Sequence, residues 1–135
     1  MNMQLSIRTL LISISLLLIA CLTHSTFVYG QEYQLKSISA NSITFEATGD
    51  VTVAATSSEP LCEKIVSKIT LQEATIGSSS YSNSSQAVKT KTSSGGTILH
   101  KAKFSLSGNK EYRVKVTLTD YFEGDSSSKT YYKYL

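Results

Sequence analysis

Tryptophan is absent from the 135 residues, proline occurs once, and cysteine and histidine occur twice each. Each shortage closes off a class of explanation. Without tryptophan the chain lacks the large rigid ring that dominates many sugar-binding platforms. The cysteines are Cys21 and Cys62. If Cys21 is cleaved away or acylated, Cys62 stands alone and no intrachain disulfide can form, although an exported chain would permit one. Cys62 then reads as a small buried hydrophobe. His24 and His100 give no histidine pair at metal-ligand spacing, and no G-x-S-x-G nucleophile motif occurs. A lone histidine without a recognisable orienting acid does not make a nucleophile–base pair, so an enzyme would need a site converging on His100 from distant segments. The expectation is a non-enzymatic protein, with no catalytic residue, no cofactor and no metal ligands.

Long apolar runs are equally scarce. The main one, Leu10 to Leu22, is broken by Ser13 and Ser15; at about thirteen residues it falls short of the roughly twenty that span a bilayer. Arg8 precedes it, acids are missing from residues 1–30, and Val28-Tyr29-Gly30 ends on a small residue. This pattern predicts a secretory signal peptide over 1–30 with cleavage after Gly30. Residues 31–135 are then a secreted, extracellular domain with no transmembrane span after processing. An alternative comes from Leu18-Ile19-Ala20-Cys21, which resembles the bacterial lipobox and would anchor the protein at the cell surface through a lipid on Cys21.

A remaining length on the order of a hundred residues supports one compact domain. With 13 basic and 10 acidic residues the formal charge is +3, which names no partner by itself. The apolar pattern is more informative. Ile43, Phe45 and Ala47, then Val51, Val53 and Ala55, then Ile65, Ile69 and Leu71 alternate with polar residues, as half-buried strands do. Gly49-Asp50 and Ser57-Ser58-Glu59-Pro60 punctuate these blocks. From Pro60 to Glu73 the spacing of Cys62, Val66 and Ile69 is also helical, and a short helical turn leading into a strand is predicted there. Gly77 to Ser85 reads as a frayed strand and loop, and Gln86 to Thr92 alternates again before Ser93-Ser94-Gly95-Gly96. Asn83-Ser84-Ser85 matches the N-glycosylation pattern. The fold class is therefore all-β, a small two-sheet sandwich of immunoglobulin-like proportions with about seven short strands; a meander or partly open barrel is the alternative.

Register arguments extend this to a face. A strand places alternate residues on opposite sides, so Ile98, Ala102, Phe104 and Leu106 form one apolar set and Tyr112, Val114, Val116 and Leu118 the next. A three-residue loop, Gly108-Asn109-Lys110, would join them with Phe104 opposite Val114, Asn109 or Lys110 adopting the left-handed conformation. In the last hairpin, a loop over Tyr121–Asp125 would place Asp120 opposite Ser126, with Tyr132 and Tyr134 in the core. The reverse face then gathers Lys101, Lys103, Arg113, Lys115, Lys129 and Lys133 around Tyr131, with Glu111 as its sole acid. Lys103 opposite Lys115 and Arg113 opposite Lys133 would repel mildly, by up to about 1 kcal/mol per pair. Such a face suits a cell-surface or extracellular polyanion or acidic glycan, with Tyr131 as a flat contact.

Other readings use the same residues differently. The lysines could simply maintain solubility in a structural or self-associating secreted domain. Tyr121, Tyr131, Tyr132 and Tyr134 could form the platform of a carbohydrate-binding module, and Asp120, Glu123 and Asp125 a calcium loop. His100 is expected opposite Leu118, at the margin of the core.

Ile65, Ile69, Thr70-Leu71-Gln72, Gly108, Tyr112-Arg113-Val114-Lys115, Gly124 and a Ser/Thr-rich final strand together resemble a family of small uncharacterised exported β-proteins of Gram-positive bacteria, a domain of unknown function. The resemblance covers most of residues 31–135. It implies a sandwich fold and bacterial export, and supplies no catalytic or binding residue.

Overall fold

The computed structural model describes residues 38–135. They form eight strands: β1 (Ser39–Phe45), β2 (Asp50–Thr56), β3 (Cys62–Thr75), β4 (Ser82–Asn83), β5 (Lys89–Ser94), β6 (Thr97–Lys103), β7 (Lys110–Phe122) and β8 (Asp125–Tyr134). The predicted signal peptide and Cys21 lie outside the described residues.

Alternation drives the assembly. In β7, Tyr112, Val114, Val116, Leu118 and Asp120 are buried and the residues between them are not; β2 buries Val51, Val53 and Ala55 in the same way. A sheet with one apolar face must cover it, and here two sheets cover each other. One has the order β1-β2-β6; the other runs β4-β3-β7-β8, with β5 also paired to β3 beyond the short β4. Every pairing is antiparallel. Val51, Val53, Ala55 and Ile98 of the first sheet share a core with Ile65, Ile69, Leu71, Val114, Val116 and Leu118 of the second. Each of the larger aliphatic side chains, fully buried, contributes about 1.5–3 kcal/mol relative to exposure. The two-sheet sandwich is thus as the apolar pattern predicts, with eight strands in place of about seven.

Four local expectations are corrected. The helical turn after Pro60 reduces to a single β-turn, in which Cys62 N donates to Glu59 O (3.2 Å), and β3 runs unbroken from there. The strands β6 and β7 are not a hairpin: β6 pairs with β2, placing Val51 opposite Ala102 and Val53 opposite His100, while β7 pairs with β3 and β8. Alternation states which residues face inward; it does not state which strand lies alongside, and the chain crosses between sheets after Lys103. Neither Asn109 nor Lys110 is left-handed, since among the described residues Glu123 alone of the non-glycines has positive φ.

The β7–β8 connection is shorter than the expected Tyr121–Asp125 loop. Glu123 (φ 48°) and Gly124 (φ 81°) form a two-residue turn, and Phe122 pairs with Asp125. Two central residues at positive φ match the right-handed twist of a hairpin. Asp120 therefore meets Ser127, one residue away from the predicted Ser126. A slip of one reverses every side chain of a strand. Tyr131 turns to the inner side opposite Val116, and Tyr132 and Tyr134 turn outward at 49% and 53% exposure. The Tyr131 hydroxyl accepts from Ala40 N (3.1 Å) and donates to Ile38 O (3.4 Å), closing the sandwich edge where β1 flanks β8.

Candidate functional site

The outward face of the five-stranded sheet collects the chemistry. Across β3 and β7 it pairs Lys64 with Tyr121, Val66 with Thr119, Lys68 with Thr117, Thr70 with Lys115, Gln72 with Arg113 and Ala74 with Glu111. The β8 strand adds Ser128 beside Thr119, Thr130 beside Thr117, Tyr132 beside Lys115 and Tyr134 beside Arg113. Hydroxyl ladders knit this surface, Thr117 to Thr130 at 3.3 Å and Thr119 to Ser128 at 2.7 Å. No cation directly opposes another here, so the repulsion expected of a lysine-rich sheet face is avoided. Among the paired residues of this face Glu111 is the sole acid. Its carboxylate is already engaged, accepting from Gly77 N (3.1 Å) and the Tyr81 hydroxyl (3.3 Å).

Arg113 is the most fully engaged cation of the set. Its Nε donates to Gln72 Oε1 at 2.8 Å and its Nη1 to the Tyr134 hydroxyl at 2.9 Å. Gln72, itself buried, donates through Nε2 to Asn83 Oδ1 at 2.8 Å. The guanidinium carbon lies 4.4 Å from the Tyr81 ring centre, 4.5 Å from that of Tyr132 and 5.6 Å from that of Tyr134, within the range of cation–π attraction. Tyr81 and Tyr134 meet edge to face with centres 5.6 Å apart. Burial and the neighbouring Glu111 raise the Tyr81 hydroxyl above the ordinary tyrosine range, so it stays protonated and can donate.

The seven residues expected on one basic face are divided among three surfaces. Arg113 and Lys115 point outward from β7, as described. Lys101 and Lys103 point outward from β6 on the other sheet, opposite Thr52 and Asp50. Lys103 is engaged there in an ion pair with Asp50 (3.3 Å), whose carboxyl is held below the usual range by the Thr48 hydroxyl and by Lys103. Lys129, Tyr131 and Lys133 lie on the inner side of β8, opposite Leu118, Val116 and Val114. In place of those residues the structure brings Lys64, Lys68, Gln72 and Tyr81 to the outward face. Lys64 and Lys68 lie four apart with Val66 between them, a same-face spacing in a strand that the helical ambiguity of this segment concealed. Gln72 shares the outward parity that Ile69 and Leu71 imply, whereas Tyr81 carried no sequence signal, because the chain after Ile76 turns back to pair Ser82 and Asn83 with β3.

His100 is buried at 4% exposure on the inner face of β6, where Nδ1 meets Ser67 Oγ of β3 at 2.9 Å. Burial, reinforced by Lys91, lowers its pKa from the ordinary histidine range. Its strand partner is Val53 rather than Leu118, though Ser67 in turn pairs with Leu118. Asp120 is fully buried and accepts from the Ser57 hydroxyl, so it points into the core and away from the turn that carries Glu123 and Asp125. That separation removes the alternative reading of these residues as a calcium loop, and no group of three or more metal-ligating side chains occurs among the described residues. Cys62 is half-buried, packed against the core with its thiol beside the Lys64 and Gly95 carbonyls. No family model matches this chain, and no curated protein and no solved structure is significantly similar to it.

Proposed function

We propose that this is an exported, non-enzymatic protein that binds a cell-surface or extracellular polyanion through the outward face of the five-stranded sheet. The observation that carries this reading is the placement of Lys64, Lys68, Arg113 and Lys115 on one face whose only paired acid, Glu111, is already engaged. A face with four cations and no free carboxylate among its paired residues attracts anionic chains over about a Debye length. Exposed Tyr132 and Tyr134 add flat apolar contacts beside the charges. The resemblance to small exported β-proteins of Gram-positive bacteria accords with such a surface role.

A self-associating structural domain draws less support. The open edges of the sandwich carry inward-pointing lysines, Lys89 and Lys91 on β5 and Lys129 and Lys133 on β8, a device that discourages strand addition.

Retention of the purified protein on anionic polymers across a salt series tests the proposal. The variant Lys64→Gln/Lys68→Gln/Lys115→Gln is expected to elute at lower salt than the parent. The variant Lys101→Gln/Lys103→Gln, altered only on the other sheet, should elute with the parent. Equal elution of all three proteins would refute the assignment of the face.

A further inference from the structure

We infer that the Arg113 cluster is the specificity-setting subsite of this face and that it takes a carboxylate-bearing sugar, a uronic acid unit of an acidic polysaccharide. The inference rests on the polyanion reading and narrows it to one anion chemistry.

Arginine carries five N–H donors in a planar fork. Two are used, by Gln72 and Tyr134, which leaves three. Two of these sit on Nη2, which is not buried: among the described residues the one buried, unpartnered side-chain polar atom is Asp120 Oδ1. The fork matches the two oxygens of a carboxylate, whereas a lysine offers a point charge. Tyr81 and Tyr132 flank the guanidinium at 4.4 and 4.5 Å, and Gln72 holds its Nε. The fork is thus set before the ligand arrives, and little side-chain freedom remains to be lost on binding.

Charge alone would suit a phosphate polymer equally well. The surroundings favour a sugar. The exposed Tyr132 ring offers an apolar face for the C–H side of a pyranose, and the hydroxyl of exposed Tyr134, which accepts from Arg113, keeps its own proton to donate to a sugar hydroxyl. Outward residues along one strand recur about every 7 Å. A glycan lying along β7 therefore passes from Arg113 to Lys115, with Lys68 and Lys64 beyond on the adjacent strand.

The test compares three probes on the full protein: oligogalacturonate, its uncharged methyl ester, and polyphosphate. The parent should bind oligogalacturonate and not the ester. The variant R113K keeps the charge and loses the fork, and should weaken oligogalacturonate binding about tenfold while polyphosphate retention changes less than about twofold. Tyr132 makes no side-chain hydrogen bond among the described residues and is half exposed, so Tyr132→Ser should fold even if R113K does not, and should weaken oligogalacturonate several-fold. Thermal melts of each variant establish folding. Unchanged oligogalacturonate binding in folded R113K, or binding of the ester as tight as that of the acid, overturns the uronate subsite. In that case, loss of both polymers in the Lys64/Lys68/Lys115 variant would leave the broader polyanion reading standing. If the parent retains neither polymer, both readings fall together.

Discussion

Lys91 of β5 donates a hydrogen bond of 2.8 Å to the carbonyl oxygen of Leu99 on β6, so a side chain from one sheet caps the open edge of the other. Among the described residues the β6 strand is paired only to β2, and Leu99 is half exposed beside that edge. Lys89, two residues earlier, lies over the Phe104 ring at 6.0 Å. A charged side chain directed across an edge makes approach by another strand costly.

Replacing that lysine should release the edge. The variant Lys91→Val is expected to lose one hydrogen bond, about 1 kcal/mol of stability, and to associate at concentrations where the parent is monodisperse. Light scattering against concentration measures this; an unchanged scattering profile contradicts the edge-capping role.

His100 supplies a pH dependence. Its folded pKa lies below its unfolded value of 6.5, because burial and Lys91 disfavour the imidazolium. The unfolded chain therefore binds the proton more readily, and stability rises with pH. The contribution is fully present above about pH 6.5 and is lost as pH falls from there through the folded pKa, by at most about 1.4 kcal/mol per pH unit for one proton. Urea unfolding between pH 7 and 5 should show this slope in the parent and a flatter profile in His100→Gln.

Among the described residues the Ser57 hydroxyl is the one partner of a fully buried carboxyl. Asp120 Oδ2 accepts from it, and Oδ1 has no partner among the described residues. Ser57→Ala should leave both oxygens unsatisfied and lower stability by about 1–3 kcal/mol. A change below about 0.5 kcal/mol in chemical denaturation would mean that the bond contributes little.

Gly49 joins β1 to β2 at φ +85° and accepts from Phe104 N at 3.0 Å. A β-carbon there would collide with the Phe104 carbonyl oxygen. Backbone must move to admit it, so Gly49→Ala combines left-handed strain of about 1–2 kcal/mol with loss of that contact. Its melting temperature should fall further than that of Gly77→Ala, where φ is also positive and the surrounding space is open.

Glu123 adopts φ 48° in the two-residue turn between β7 and β8. Asparagine tolerates that conformation better, so Glu123→Asn should raise stability by a few tenths of a kcal/mol. A decrease, read from the same melts, would argue against the observed turn and the strand register that depends on it.

How far the site could be read in advance follows from these elements. Arg113 and Lys115 were legible because Val114 and Val116 fix the parity of β7 from within one strand. Lys129, Tyr131 and Lys133 were misplaced because their parity depends on a turn, and Glu-Gly is a weak turn signal beside Asn-Gly or Asp-Gly. Lys101 and Lys103 were misplaced for a different reason: their parity was right, and their sheet was wrong. Burial of His100 was legible only as marginal, since its distance from the core depends on Ser67 arriving from the opposite sheet.

Alternation at period two marks the chain as a two-sheet β-protein and shows which residues of β2, β6 and β7 face the core, because it is a property of each strand alone and apolar burial dominates strand orientation. Which strands are neighbours, and hence which cations share a face, is settled only in the folded chain. Pairing brings together residues distant in the chain, and hydrogen bonds between backbones carry no side-chain identity. The Arg113 cluster exists only because β3, β7, β8 and the loop bearing Tyr81 meet at one end of one sheet.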